Sequence, residues 1–120
     1  MNGRGELGAL GERLAKAHLL QLGYKVLEQN VRMRGGEIDL VAKDGDTVVI
    51  VEVRTKSTLR FGTPEESITP SKLARLGRLG QFYVQARKLE EVAWRIDVVA
   101  VEMESNGKLR RIEVLKNVGG

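Results

Sequence analysis

Cysteine is absent from this 120-residue chain, which excludes disulfides and any thiolate zinc site. A reducing, cytoplasmic setting is therefore expected. Histidine occurs once, at His18, so neither a histidine-rich metal site nor a histidine-based triad can be built within one chain. Aromatic residues make up 4% of the sequence, which leaves the core to Leu, Val, Ile and Ala and gives base stacking little to draw on. No run approaches the ~18 apolar residues of a membrane span, so no membrane association is expected. Met1 to Leu10 is glycine-rich and does not read as a signal peptide. The glycines at 3, 5, 8 and 11 lack the Gly-Lys-Ser/Thr ending of a phosphate-binding loop.

What is present is an ordinary globular composition, 42% hydrophobic and 30% charged. The length suits one domain over residues 1–120, with a loose tail over 116–120. Basic residues number 20 against 16 acidic ones, a net charge of +4. That excess suits a polyanionic partner. It suits a merely well-solvated surface equally well.

Periodicity orders the chain. Leu7, Leu10, Leu14, Ala17 and His18 recur at helical spacing over residues 7–22, with Gly23 as the stop. His18 on that face reads as a packed histidine. Tyr24 to Asn30 is expected to form a strand, and Val31 to Gly36 a basic turn carrying Arg32 and Arg34. Glu37–Ala42 and Thr47–Thr55 read as strands joined by a hairpin at Asp44-Gly45. Ser57 to Ile68 is a loop. Thr69 caps a second helix with Pro70 in its first position, running to about Lys88 with Leu73, Leu76, Leu79 and Val84 inward. Strands over Ala93–Glu102 and Leu109–Leu115 follow, separated by Asn106-Gly107. Trp94 belongs to the core or an interface. The sum is an α/β protein with a mixed central sheet flanked by helices.

Two acids interrupt apolar strands. Asp39 lies between Ile38 and Leu40, and Glu52 follows Val48-Val49-Ile50-Val51. A buried charge needs a cation or a hydrogen-bonding partner. With Asp44 and Gly45 as the turn residues, Asp39 falls opposite Ile50 and Glu37 opposite Glu52. Alternation then puts Glu37, Asp39 and Glu52 on one face, the latter two diagonal and about 7 to 8 Å apart. Such a pair could share a hard cation. It could instead form salt bridges to Arg54 or Arg95. Glu12 stands at the margin of the first helix's apolar stripe, either as a third acid or as a surface partner of Lys16. Asp97 interrupts the fourth strand, to support a site or to pair with an arginine.

Several segments taken together resemble the YraN family of bacterial proteins. They are Gly11-Glu12, Asn30, Gly35-Gly36-Glu37-Ile38-Asp39-Leu40-Val41, Val51-Glu52-Val53-Arg54, Phe61-Gly62-Thr63-Pro64-Glu65-Glu66-Ser67-Ile68-Thr69, Lys72 and Arg95-Ile96-Asp97-Val98-Val99-Ala100. That family is grouped with restriction-endonuclease-like nucleases and is similar to archaeal Holliday-junction resolvases. The resemblance implies a metal-dependent endonuclease acting on structured or branched DNA. Catalytic roles would fall on Glu12, Asp39, Glu52 and Arg54. Magnesium, with manganese as a substitute, would be held by Asp39, Glu52, the Val53 carbonyl and Glu12. Arg32, Arg34, Lys56 and Lys72 would contact nucleic acid, and a homodimer would supply two cuts. Arg54 departs from the lysine of the wider Glu-x-Lys pattern. It stays protonated and cannot be a general base, though it can hold a phosphate. A nucleic-acid-binding module without catalysis is therefore the alternative.

Overall fold

The computed structural model describes residues 5–57 and 62–119. Gly3, Phe61 and Gly120, used in the expectations above, lie outside the described residues. The elements run α1 (Gly5–Gln21), β1 (Lys25–Met33), β2 (Gly36–Asp44), β3 (Thr47–Ser57), a 3-10 turn (Glu65–Ser67), α2 (Pro70–Ala86), β4 (Trp94–Met103) and β5 (Leu109–Leu115). The five strands form one sheet in the order β1-β2-β3-β4-β5. Only β3 and β4 are parallel. Two parallel neighbours need a crossover, and α2 supplies it. The architecture is α/β, with a mixed sheet and one helix packed on each face, as expected of a restriction-endonuclease-like fold.

Each face has its own core. Ala15 and Leu19 of α1 pack with Leu40, Ala42, Val49, Val51, Val99 and Val101. Leu76, Leu79, Tyr83 and Val84 of α2 pack with Ile38, Val41, Val48, Ile50 and Ile96. Val48 to Val51 is buried throughout, as a central strand covered on both faces must be. Among the described residues, no helix is long and apolar enough to cross a membrane.

The buried line of α1 is Gly11, Ala15 and Leu19, with Leu7 and Ala17 exposed. The helix is thus rotated from the expected stripe. The reason is close packing: a Cβ on Gly11 would lie 2.9 Å from Thr55 Cβ and 3.0 Å from its Cγ2. Small residues turn inward because the helix backbone sits directly against β3. His18 is half-buried, in keeping with a packed role. Thr69 caps α2 as expected, its hydroxyl accepting from the Lys72 N–H with Pro70 in the first turn. Trp94 joins the α2-side core and packs against Gly80, whose Cβ would meet Trp94 Cη2 at 2.8 Å.

Several local features differ from expectation. β1 continues to Met33, so Arg32 lies on a strand and only Arg34 stands in the turn. A bulge between Val26 and Glu28 lets Glu28 meet α2, where it takes hydrogen bonds from Tyr83 and Arg87. The β2–β3 register pairs Asp44 with Thr47, so the turn is Gly45-Asp46, with Gly45 at φ +61°. The tail, expected to be loose, donates two hydrogen bonds from its backbone: Asn117 N–H to the Asp97 side chain at Oδ1, 3.0 Å, and Val118 N–H to the Ile96 carbonyl, 2.9 Å.

Candidate active site

The β2–β3 ladder pairs residues from Asp44–Thr47 up to Leu40–Val51 and stops there. One step further it would set Asp39 opposite Glu52. The register is displaced by two residues from expectation, and an even displacement preserves which side chains share a face. Continued regularly, that register would set the acids opposite each other and not diagonal, but the pairing ends before it reaches them. Where the ladder stops, the Asp39 carboxylate takes its place: Oδ2 accepts the Val53 N–H at 2.8 Å. Alternation also slips here. Ile38 and Val41 both face the α2-side core, whereas Leu40 and Ala42 face the α1 side. The irregularity falls on the stretch containing Asp39, and it sends Glu37 toward α1, off the face assigned to it from alternation. There Asn30 Nδ2 donates to both Glu12 Oε1, at 3.0 Å, and Glu37 Oε1, at 3.3 Å.

These residues border a cleft of about 610 Å³, lined by Glu12, Glu37, Asp39, Glu52, Val53 and Arg54 together with Leu7, Gly8, Thr55, Lys56, Ser57 and Arg75. Asp39 is 9% exposed and Glu52 8%, so both carboxylates are largely removed from water yet reach the cleft. Glu12 arrives there because Gly11 brings α1 against β3. Among the described residues, no three histidine or carboxylate side chains converge into a ready-made metal cluster. The strand acids lining the cleft floor are Asp39 and Glu52, whose hard oxygen atoms suit magnesium or manganese.

Arg54 curls back over this pair. Its Nη1 stands 3.4 Å from Glu52 Oε2, and its Nε donates to Ser67 Oγ at 2.8 Å. A salt bridge was one of the readings open for Glu52, and the long Arg54 contact supplies it. Asp39 accepts from backbone. The other expected basic residues divide. Lys56 lines the cleft. Arg34 is exposed on the hairpin, and Arg32 is 87% exposed with Nε 4.0 Å from Glu37 Oε2. Lys72 does not line the cleft. Its Nζ donates to the Ser67 carbonyl at 3.1 Å and so holds the segment that holds Arg54.

Arg75 was missed from sequence and lines the cleft. A Cβ on Gly36 would lie 3.9 Å from Arg75 Cδ, which sets this α2 residue beside the β1–β2 hairpin. Its position one helical turn after Lys72 was the available signal. Asp97 pairs with Val51, next to Glu52 along β3, but is not among the residues lining the cleft. It is fully buried and accepts from Tyr24 Oη, Arg95 Nε and Nη2, and Asn117 N–H. Arg95 also reaches Asp44 at 2.8 Å. Of the two readings of Asp97, the arginine pair is the one present.

A family model described as "Uncharacterised protein family UPF0102" matches residues 11–101, which span Glu12 and both strand acids. A UPF0102 protein of Syntrophus aciditrophicus is 44% identical over 110 residues, covering 92% of this chain and 85% of that relative. A UPF0102 protein of Caldicellulosiruptor saccharolyticus is 42% identical over 117 residues, 98% of each chain. One from Beutenbergia cavernae is 44% identical over 119 residues, covering 99% of this chain and all of the relative.

Proposed function

The chain belongs to the UPF0102 family, the YraN family of the sequence resemblance, and we propose that its cleft hydrolyses phosphodiester bonds of structured or branched DNA with a divalent cation. One observation carries this reading. Two buried carboxylates, Asp39 and Glu52, line one cleft just past the end of the β2–β3 pairing, together with Arg54, Lys56 and Arg75. Acidic oxygens at the floor suit a hard cation, and cations beside them suit a phosphate. When bound, magnesium acidifies a water and neutralises charge developing on the phosphorus.

The chain's own residues divide the work. Asp39 and Glu52 hold the ion, with the Val53 carbonyl as a further oxygen donor. The Val53 N–H fixes the orientation of the Asp39 carboxylate. Glu12, held by Asn30, faces the same cleft and orients water. Arg54 leaves its long contact with Glu52 to bind the scissile phosphate and stabilise its charge. Arg32, Arg34 and Lys56 place the flanking backbone, and Arg75 adds a cation on the α2 side. A homodimer would supply two cuts across a symmetric substrate.

The second reading, a binding module without catalysis, is favoured by a different observation. A guanidinium, Arg54, stands where the wider pattern has its lysine and already contacts Glu52, which leaves Lys56, two residues on, as the amine lining the cleft. Incubating the protein with branched and linear DNA across a magnesium and manganese titration separates the two. Metal-dependent cleavage, lost in Asp39→Ala and Glu52→Ala with binding retained, supports hydrolysis. Binding without cleavage supports the module, and no binding at low salt removes both.

A further inference from the structure

The 3-10 turn Glu65–Ser67 lies between β3 and α2 and is tied at both ends to the sheet. At one end, Ser67 Oγ accepts from Arg54 Nε of β3 at 2.8 Å. At the other, Glu65 Oε1 accepts from Arg111 Nη2 of β5 at 2.7 Å. Arg111 spends its remaining donors on Glu102, its cross-strand partner on β4, and on Glu113 at 2.8 Å. Between the ends the turn is braced internally. Thr63 N–H donates to Glu66 Oε1 at 2.8 Å, and Glu66 N–H returns to Thr63 Oγ1 at 3.3 Å, a reciprocal capping box. Ser67 Oγ in turn donates to the Pro64 carbonyl. The turn is a short bar laid across the sheet, stiff in itself and pinned at β5 and β3.

We infer that Arg111 is a positioning residue for Arg54: by clamping Glu65 it fixes the turn whose Ser67 hydroxyl sets where the Arg54 guanidinium stands in the cleft. Three carboxylates around one guanidinium give the far pin more anchorage than any single pair would. Among the described residues, Arg54 has a bond of normal length only to Ser67, since its Glu52 contact is 3.4 Å. Once the Ser67 pin moves, that long contact is what the described residues still offer it. Arg111 lies on the outer strand of the sheet, two strands from β3, and so acts only through the turn.

What Arg54 does with a phosphate rests on the hydrolytic reading; where it stands does not, and the test needs neither metal nor nucleic acid. Solvent exchange of the Arg54 Nε–H is followed by nitrogen-15 NMR on the full chain, the resonance being identified by its loss in Arg54→Lys. Exchange is expected to rise at least ~10-fold, the weight of one hydrogen bond to a charged group, in Arg111→Met and in Glu65→Ala. It should rise equally in Ser67→Ala, stay slow in Ser67→Thr, and stay slow in Glu113→Ala, which leaves the bar pinned. Glu65→Ala keeps Arg111 on Glu102 and Glu113, so it carries the test if Arg111→Met does not fold. Unchanged exchange in Glu65→Ala with an intact amide spectrum overturns the inference. An equal rise in Glu113→Ala, which would mean general loosening, also overturns it. A chain that cuts nothing yet behaves as expected leaves the inference standing; one that cuts DNA yet fails here overturns the inference alone.

Discussion

The chain's two tyrosines should resist ionisation together, and their resistance should set its stability in base. Tyr24 and Tyr83 are 3% and 2% exposed. The Tyr24 hydroxyl donates to Asp97 Oδ2 at 3.0 Å, and that of Tyr83 donates to Glu28. Burial first, then the hydrogen bond to a carboxylate, pushes each phenol from 10.0 up to about 12, against the opposing pull of Arg95 and Arg87. The folded value is the higher one, so this stability is fully present below the unfolded value near 10 and is lost as pH rises toward about 12. Such a shift corresponds to on the order of a few kcal/mol for the pair. Against a total of ~5–15 kcal/mol, that is enough to bring on unfolding in base. Following the tyrosinate absorbance band alongside urea unfolding at stepped pH tests it. The expected result is one late rise near pH ~12, coincident with loss of fold, and an earlier, smaller step in Tyr24→Phe. A full rise near pH ~10 in a protein that stays folded would refute the reasoning.

At the acid side, Glu28, Asp44 and Glu65 are held below the usual carboxylate range by hydrogen bonds from Arg87, Arg95 and Arg111 respectively. Their contribution is present above the ordinary carboxylate value and lost as pH falls through the lowered ones, so urea midpoints should drop below pH ~4. Gly11→Val should destabilise by ~1–3 kcal/mol through overpacking on Thr55. Thr55→Ala should recover part of that loss in a double-mutant cycle read by urea unfolding. Lys56→Ala and Arg75→Ala should each weaken DNA binding and lower the slope of log affinity against log salt by about 1, measured by fluorescence anisotropy.

Much of the site was legible because acids in apolar runs are costly and so conspicuous. Asp39 and Glu52 could be picked out on that ground. The register differs from the expected one by two residues, and the pairing ends at Leu40–Val51, short of both acids. Glu37 could not be placed, since the irregularity at Asp39 breaks the alternation that the inference used. The α1 stripe was misjudged for a related reason: hydrophobicity pointed to Leu7 and Ala17, whereas close approach to β3 selected Gly11 and Ala15. Arg111's hold on Glu65 and the reach of Asp97 and Arg95 to Tyr24 and Asp44 depend on contacts between distant segments, which local patterning does not carry, whereas Arg75 had a signal in its spacing from Lys72. The helix cap at Thr69 and the β5 strand needed only neighbours in sequence, and both were read correctly.

If the Asp39 and Glu52 carboxylates together capture one divalent ion, anomalous scattering from manganese-soaked crystals will show a single strong peak between them, absent in Asp39→Ala and in Glu52→Ala. Crystals with no peak there, and Arg54 still seated against Glu52 at saturating manganese, would contradict it.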